Sequence, residues 1–139
     1  MHEYVGKCPC GRIDVRLVSA LTPGQFQPRS DAQTCRFCSE HDGVWVSDPK
    51  GTLRLRAGDE TSIRRFASEE VQFHFCAACS TLVYATFEEE ARTVAVVRVA
   101  LFEAIRSAAA PTLTTNFETE SVAVGRQRRL EKWTPVERA

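Results

Sequence analysis

The 139-residue sequence has no charge of either sign to spare: 18 Lys and Arg balance 18 Asp and Glu, and the pI is near 6.8. This removes the whole-domain positive field on which a dedicated nucleic-acid binder relies, since such affinity rests largely on phosphate neutralisation, and it makes DNA or RNA a minority expectation. No stretch approaches the roughly 20 apolar residues of a membrane helix. Residues 1–6, MHEYVG, contain no apolar core of a signal peptide, so the expected compartment is the cytoplasm, with no membrane partner. Internal repeats, low-complexity linkers and composition breaks are also missing. What remains, 43% apolar residues in a chain of this length, is sized for one domain spanning residues 1–139.

Cysteine is what the sequence does have. Six fall at positions 8, 10, 35, 38, 76 and 79, as three close pairs without a singleton. In a secreted chain these would be three disulfides, but a reducing cytosol keeps structural thiols reduced, and close pairs on turns then read as metal ligands. Soft thiolates select zinc over hard cations, and a closed structural site takes four ligands in a tetrahedron. Three pairs therefore make one complete site and a remainder.

The pattern around the cysteines is that of a β protein. Residues 12–18 alternate strictly, with Ile13, Val15 and Leu17 on one face and Arg12, Asp14 and Arg16 on the other. Val44 and Val46 flank Trp45. A turn at Asp48-Pro49-Lys50-Gly51 leads to Leu53 and Leu55 alternating with Arg54 and Arg56, and Gly58-Asp59 turns the chain again. Val71, Phe73 and Phe75 share a face directed away from Gln72 and His74, which places His74 on an exposed strand face. Two further apolar segments, 82–87 and 94–101, are separated by the acidic run Glu88-Glu89-Glu90, read as a solvated hairpin loop. Only residues 102–110, Ala-rich and closed by Pro111, read as helix. Residues 112–124, rich in Thr and Val, are expected to return to strand, ahead of a solvated basic cluster of Arg126, Arg128, Arg129 and Lys132. The expected fold is mainly β, mostly antiparallel, with one short helix and cysteine pairs at turns and strand ends.

Cys76-Ala77-Ala78-Cys79 has the C-x-x-C spacing of a zinc knuckle, and Cys8-Pro9-Cys10-Gly11 is tighter, with Gly11 free to turn the backbone so that amides donate toward sulfur. Each pair supplies half a site. Joining residues 8 and 10 to 76 and 79 would close a large loop, and a structural zinc of this kind is worth about 10–16 kcal/mol of apparent binding, which becomes folding energy if the unfolded chain has no site. Two bland readings stand beside this one: buried free thiols acting as small hydrophobes, and a thioredoxin-like pair at residues 76 and 79, which would need a helix where the sequence continues as strand.

The Cys-x-Cys-Gly near the N-terminus, the cysteine cluster about 25 residues later with a Gly after it, and Phe-Cys-x-x-Cys ahead of an apolar strand resemble the glutathione-dependent formaldehyde-activating enzyme family over residues 6–101, with Trp133 as a tail match. The resemblance implies an Mss4-like fold of folded antiparallel sheets and a structural zinc on Cys8, Cys10, Cys76 and Cys79. It also implies carbon-sulfur lyase activity on S-(hydroxymethyl)glutathione, run toward the adduct of glutathione and formaldehyde. Its small-molecule partner would be a thiol or an aldehyde adduct. The family's second, catalytic zinc sits in a Cys-x-Cys-x-x-Cys motif, which here reads Gln33-Thr34-Cys35-Arg36-Phe37-Cys38, so the first cysteine is replaced by Gln33. Ser80 stands where the family has Gly, and Thr114 where a His is expected after Pro111. A catalytic zinc needs about three protein ligands and a labile position. Cys35 and Cys38 supply two, and His41, at Cys35-x-x-Cys38-x-x-His41, would complete a set by chemistry. The alternatives are a vacant dithiol in a non-catalytic, zinc-stabilised β module that binds a protein or small thiol, and a zinc completed by the substrate thiol.

Overall fold

The computed structural model describes residues 1–30, 43–56, 61–65, 70–115 and 120–138. Their strands are β1 (His2–Lys7), β2 (Asp14–Ser19), β3 (Arg29–Ser30), β4 (Val44–Val46), β5 (Thr52–Leu55), β6 (Thr61–Arg65), β7 (Val71–Cys76), β8 (Leu82–Glu89), β9 (Arg92–Arg98), β10 (Leu113–Thr114) and β11 (Thr134–Arg138); the helices are α1 (Glu103–Ala108) and α2 (Val122–Lys132). The fold is mainly β, as the alternation implied. One layer runs β1-β2-β5-β11 and the other holds β6-β7-β8-β9, with β4, β3 and β10 continuing beyond β9. Most pairings are antiparallel, while β11 with β5 and β10 with β3 are parallel, so the sheet is mixed.

β11 joins the layers. Thr134 and Pro135 pair with Ala95 and Val94 of β9, and from Val136 onward the strand pairs with Leu53 of β5. Pro135, which has no N–H to give to a ladder, stands where the strand leaves one neighbour for the other. A buried polar staple holds the same corner. Ser19 Oγ donates to Asp48 Oδ2 at 2.6 Å and the Asp48 amide donates to Thr134 Oγ1 at 2.8 Å, tying the end of β2 to the expected turn, where Gly51 N donates to Asp48 O at 2.9 Å.

The core fills the space between the layers. Ile13, Val15, Leu17, Leu53 and Leu55 from one side meet Val46, Val83, Ala95 and Val97 from the other, with Phe26, Phe102 and Ile105 closing one end. Phe102 lies so close to β1 that a Cβ on Gly6 would fall 2.5 Å from its ring, so only glycine admits this approach.

Several expectations need correction. Among the described residues of the strand expected over 112–124 only Leu113–Thr114 is strand, and Val122–Lys132 is helix, capped by Ser121, whose side chain accepts from Val124 N at 3.2 Å. The segment 94–101 is strand only to Arg98 and ends in a 3-10 turn, Val99–Leu101. The acidic run is mostly strand: Glu88 and Glu89 pair with Thr93 and Arg92, leaving Glu90 at φ 54° in the turn. The basic cluster is largely paired, with Arg126 and Arg129 on Glu70 at 2.7 and 3.0 Å and Arg128 bidentate on Glu120. The turn expected at Gly58-Asp59 lies outside the described residues. Among them no helix is long and apolar enough to cross a membrane.

Candidate metal centre

Two turns far apart in the sequence, with Cys10 and Cys76 separated by 66 residues, meet at one point. The first follows β1, where Gly11 N donates to Cys8 O at 2.9 Å and Cys8 N to Ile13 O at 3.2 Å, with Gly11 at φ 78°. The second joins β7 to β8. Its Ser80 N donates to Cys76 O and Cys76 N to Thr81 O, both at 2.9 Å, and Ser80 takes φ 59°. Each turn is thus pinned at its base and reversed by a residue in the left-handed region, which is what aims two closely spaced sulfurs the same way.

The Sγ atoms of Cys8, Cys10, Cys76 and Cys79 lie within 4.8 Å of one another. Cys10 Sγ is 3.5 Å from Cys8 Sγ and 3.6 Å from Cys76 Sγ. A tetrahedron of about 2.3 Å metal–sulfur bonds has edges of about 3.8 Å, so the cluster already has the size of a four-thiolate site. The four residues that sequence spacing grouped are therefore brought together. Cys8 and Cys76 are buried, Cys79 is half-buried and Cys10 is exposed. Cys8 and Cys76 are also members of the main core, so a metal here would be continuous with the packing.

The surroundings suit sulfur anions. Ile13 N donates to Cys8 Sγ at 3.3 Å, and Thr81 Oγ1 is 3.3 Å from Cys79 Sγ. The Thr81 hydroxyl, with the Thr81 and Cys10 amides, brings Cys79 down to about 6. Burial pushes Cys8 up, but the Ile13 amide and the sulfurs of Cys10 and Cys76 outweigh it and lower the thiol. At Cys10 the Arg12 amide pulls down, while burial and the other three sulfurs push the thiol up to about 12. Four sulfurs this close cannot all ionise by themselves. A divalent cation removes that conflict, and the donor set fits one.

His74, expected on an exposed face, is buried at 4%. Its Nδ1 is 3.0 Å from Thr61 Oγ1 and its Nε2 2.8 Å from Thr86 Oγ1, and its ring stacks on Tyr84 at 4.4 Å. Burial, with a smaller repulsion from Arg138, lowers its pKa to about 4, so it is a neutral cross-strand pin. Alternation separates two faces of a strand without saying which is covered. Gln33, Cys35, Cys38 and His41 lie outside the described residues. Thr114, where a His was expected, is exposed in the short β10.

The family model described as glutathione-dependent formaldehyde-activating enzyme matches residues 3–119. The chain belongs to this family. No curated protein is matched. A solved structure of a protein from Rhodobacter sphaeroides is similar at a TM-score of 0.55 and 17% identity, covering 80% of this chain and 99% of that one, a likeness of fold. For this family member the matched range contains all six cysteines, so both the four-sulfur cluster and the segment with Cys35 and Cys38 fall within it.

Proposed function

We propose that the chain is a zinc-binding carbon-sulfur lyase of a glutathione–aldehyde adduct such as S-(hydroxymethyl)glutathione, working toward adduct formation from glutathione and formaldehyde. The observation that carries the reading is the meeting of Cys8, Cys10, Cys76 and Cys79 within 4.8 Å inside a family match over residues 3–119. These four would hold a structural zinc, which locks the turn after β1 to the turn between β7 and β8. Cys35 and Cys38, with His41 as third ligand, would hold a second zinc, which supplies acidification of an incoming thiol.

The reaction is an addition and needs no oxidant. The thiol loses its proton, and sulfur attacks the aldehyde carbon to form the S–C bond. The C=O π pair moves to oxygen, which takes up a proton; the reverse releases thiol and aldehyde. The chain's part is to orient the thiol and exclude competing water. A cytoplasmic setting would supply the reduced thiol and keep the cysteines reduced.

Gln33 in place of a cysteine favours a second reading, a non-catalytic zinc-stabilised module that binds a protein partner or small thiol. Incubation of the zinc-loaded protein with glutathione and [13C]formaldehyde, followed by NMR exchange between free and adduct carbon, separates the two. The lyase reading expects exchange faster than in buffer and its loss in Cys35→Ser. Exchange at the buffer rate with the wild-type protein favours the module.

A further inference from the structure

We infer that Arg64, set on an aromatic floor of Trp45, Phe73 and Phe75, is a carboxylate-recognition residue that selects an anionic thiol substrate. This rests on the lyase reading above and names what would hold the substrate's body.

A small apolar cluster stands apart from the main core. Phe75 and Leu82 are buried in it, with Trp45 and Phe73 packed against them. Trp45 comes from β4 and Phe73 from β7, with β9 and β8 lying between these strands in the sheet, yet their ring centroids are 6.0 Å apart. The register puts Phe73 beside Ala85, Ala85 beside Val96, and Trp45 beside Arg98, whose guanidinium donates to Leu82 O, so the two large rings lean together over Ala85 and Val96. Trp45 and Phe73 stay half-exposed, which makes the cluster a surface as well as packing.

Arg64 is exposed on β6, cross-strand from Phe73, and its guanidinium carbon sits 4.4 Å from the centroid of the Phe75 ring. The ring face holds the cation in place by cation–π attraction, and the planar N–H fork of a guanidinium matches a carboxylate. Among the described residues no carboxylate pairs with it, unlike Arg126, Arg128 and Arg129. The chain has no net charge, so an anion would be recognised by such a local group and not by a general field.

Position ties this surface to the chemistry. Val44 of β4 pairs with Ser30 of β3, the sequence between these two residues carries Cys35 and Cys38, and Trp45 follows Val44 directly. Phe75 immediately precedes Cys76. A small thiol with an aliphatic body and an ionised carboxylate has both of its parts matched, the body on the rings and the carboxylate on Arg64.

The test is calorimetric binding of S-methylglutathione, whose capped sulfur makes recognition independent of a second metal, compared with its diethyl ester. The wild-type protein should bind the acid at least about tenfold more tightly than the ester. Arg64→Ala should bring the acid down to the ester's affinity, with Arg64→Lys between, since it keeps the charge and loses the fork. Unchanged acid binding in Arg64→Ala overturns the inference, as does wild-type protein that exchanges formaldehyde but does not bind the acid. Binding with the Arg64 effect intact but no exchange upholds the recognition site and overturns the lyase reading alone.

Discussion

At position 80 a serine occupies a backbone conformation that suits glycine. Ser80 sits at φ 59° directly after Cys79, and its amide closes the turn onto Cys76 O. The left-handed region costs an L-residue about 1–2 kcal/mol, partly offset because glycine has more freedom to lose on folding. Ser80→Gly should therefore stabilise the protein by about 0.5–1 kcal/mol in chemical denaturation, without changing metal content. A destabilised variant would mean that the Ser80 side chain contributes more than its backbone strain costs. The same scale shows what was legible in the sequence. The four clustered cysteines were readable because each half of the cluster is local, two sulfurs and a turn residue within five positions. His74 was not, because its partners Thr61 and Thr86 are 13 and 12 residues away and only strand pairing brings them to it.

β1 and its contact with α1 set the position of the first half-site. Because the Phe102 ring occupies the space a Cβ would need at Gly6, Gly6→Ala should force the ring or the strand to move, at a cost of about 1–3 kcal/mol. Equilibrium unfolding reads this directly, and an unchanged midpoint would show that Phe102 yields freely. α2 illustrates why helix and strand were confused near the C-terminus. Its Val122 and Val124 are exposed, its buried residue is Gly125, and Arg129 lies 5.0 Å over Phe87 and pairs with Glu70. A helix that docks through glycine and arginine has no apolar stripe, so the 3.6-residue signal is missing although Arg, Gln, Leu, Glu and Lys are strong helix formers.

That docking should titrate. Burial pushes Glu70 up, but hydrogen bonds from Arg129 and Arg126 outweigh it, and the folded carboxyl lies below its ordinary 4.5. A depressed carboxylate contributes stability that is present above the unfolded value and is lost as pH falls through the folded one. Glu70→Gln should cost about 1–2 kcal/mol at pH 7, and the gap to wild type should shrink as pH falls below 4.5 and vanish once the folded carboxyl is protonated. A gap that persists at low pH would place the effect in packing, not charge.

At the scale of the whole molecule, two connections bring distant sequence together. β11 carries the C-terminus between the layers, and the cysteine cluster ties the turn after β1 to the turn after β7. The mainly β architecture could be read from alternation. The layering could not, because β11 is a five-residue strand interrupted by Pro135, whose place is set by β5 and β9 and not by its own pattern. Two of the cluster's four cysteines, Cys8 and Cys76, belong to the same core as residues of both layers, so metal binding and folding should be one event. The measurement that tests this most directly is zinc content per chain, by elemental analysis, together with thermal unfolding of wild type and Cys76→Ser. The account predicts at least one tightly held zinc in the wild-type protein, and in Cys76→Ser the loss of that zinc together with cooperative unfolding. A wild-type protein without zinc, or a variant that keeps its full metal content and its unfolding transition, would contradict it.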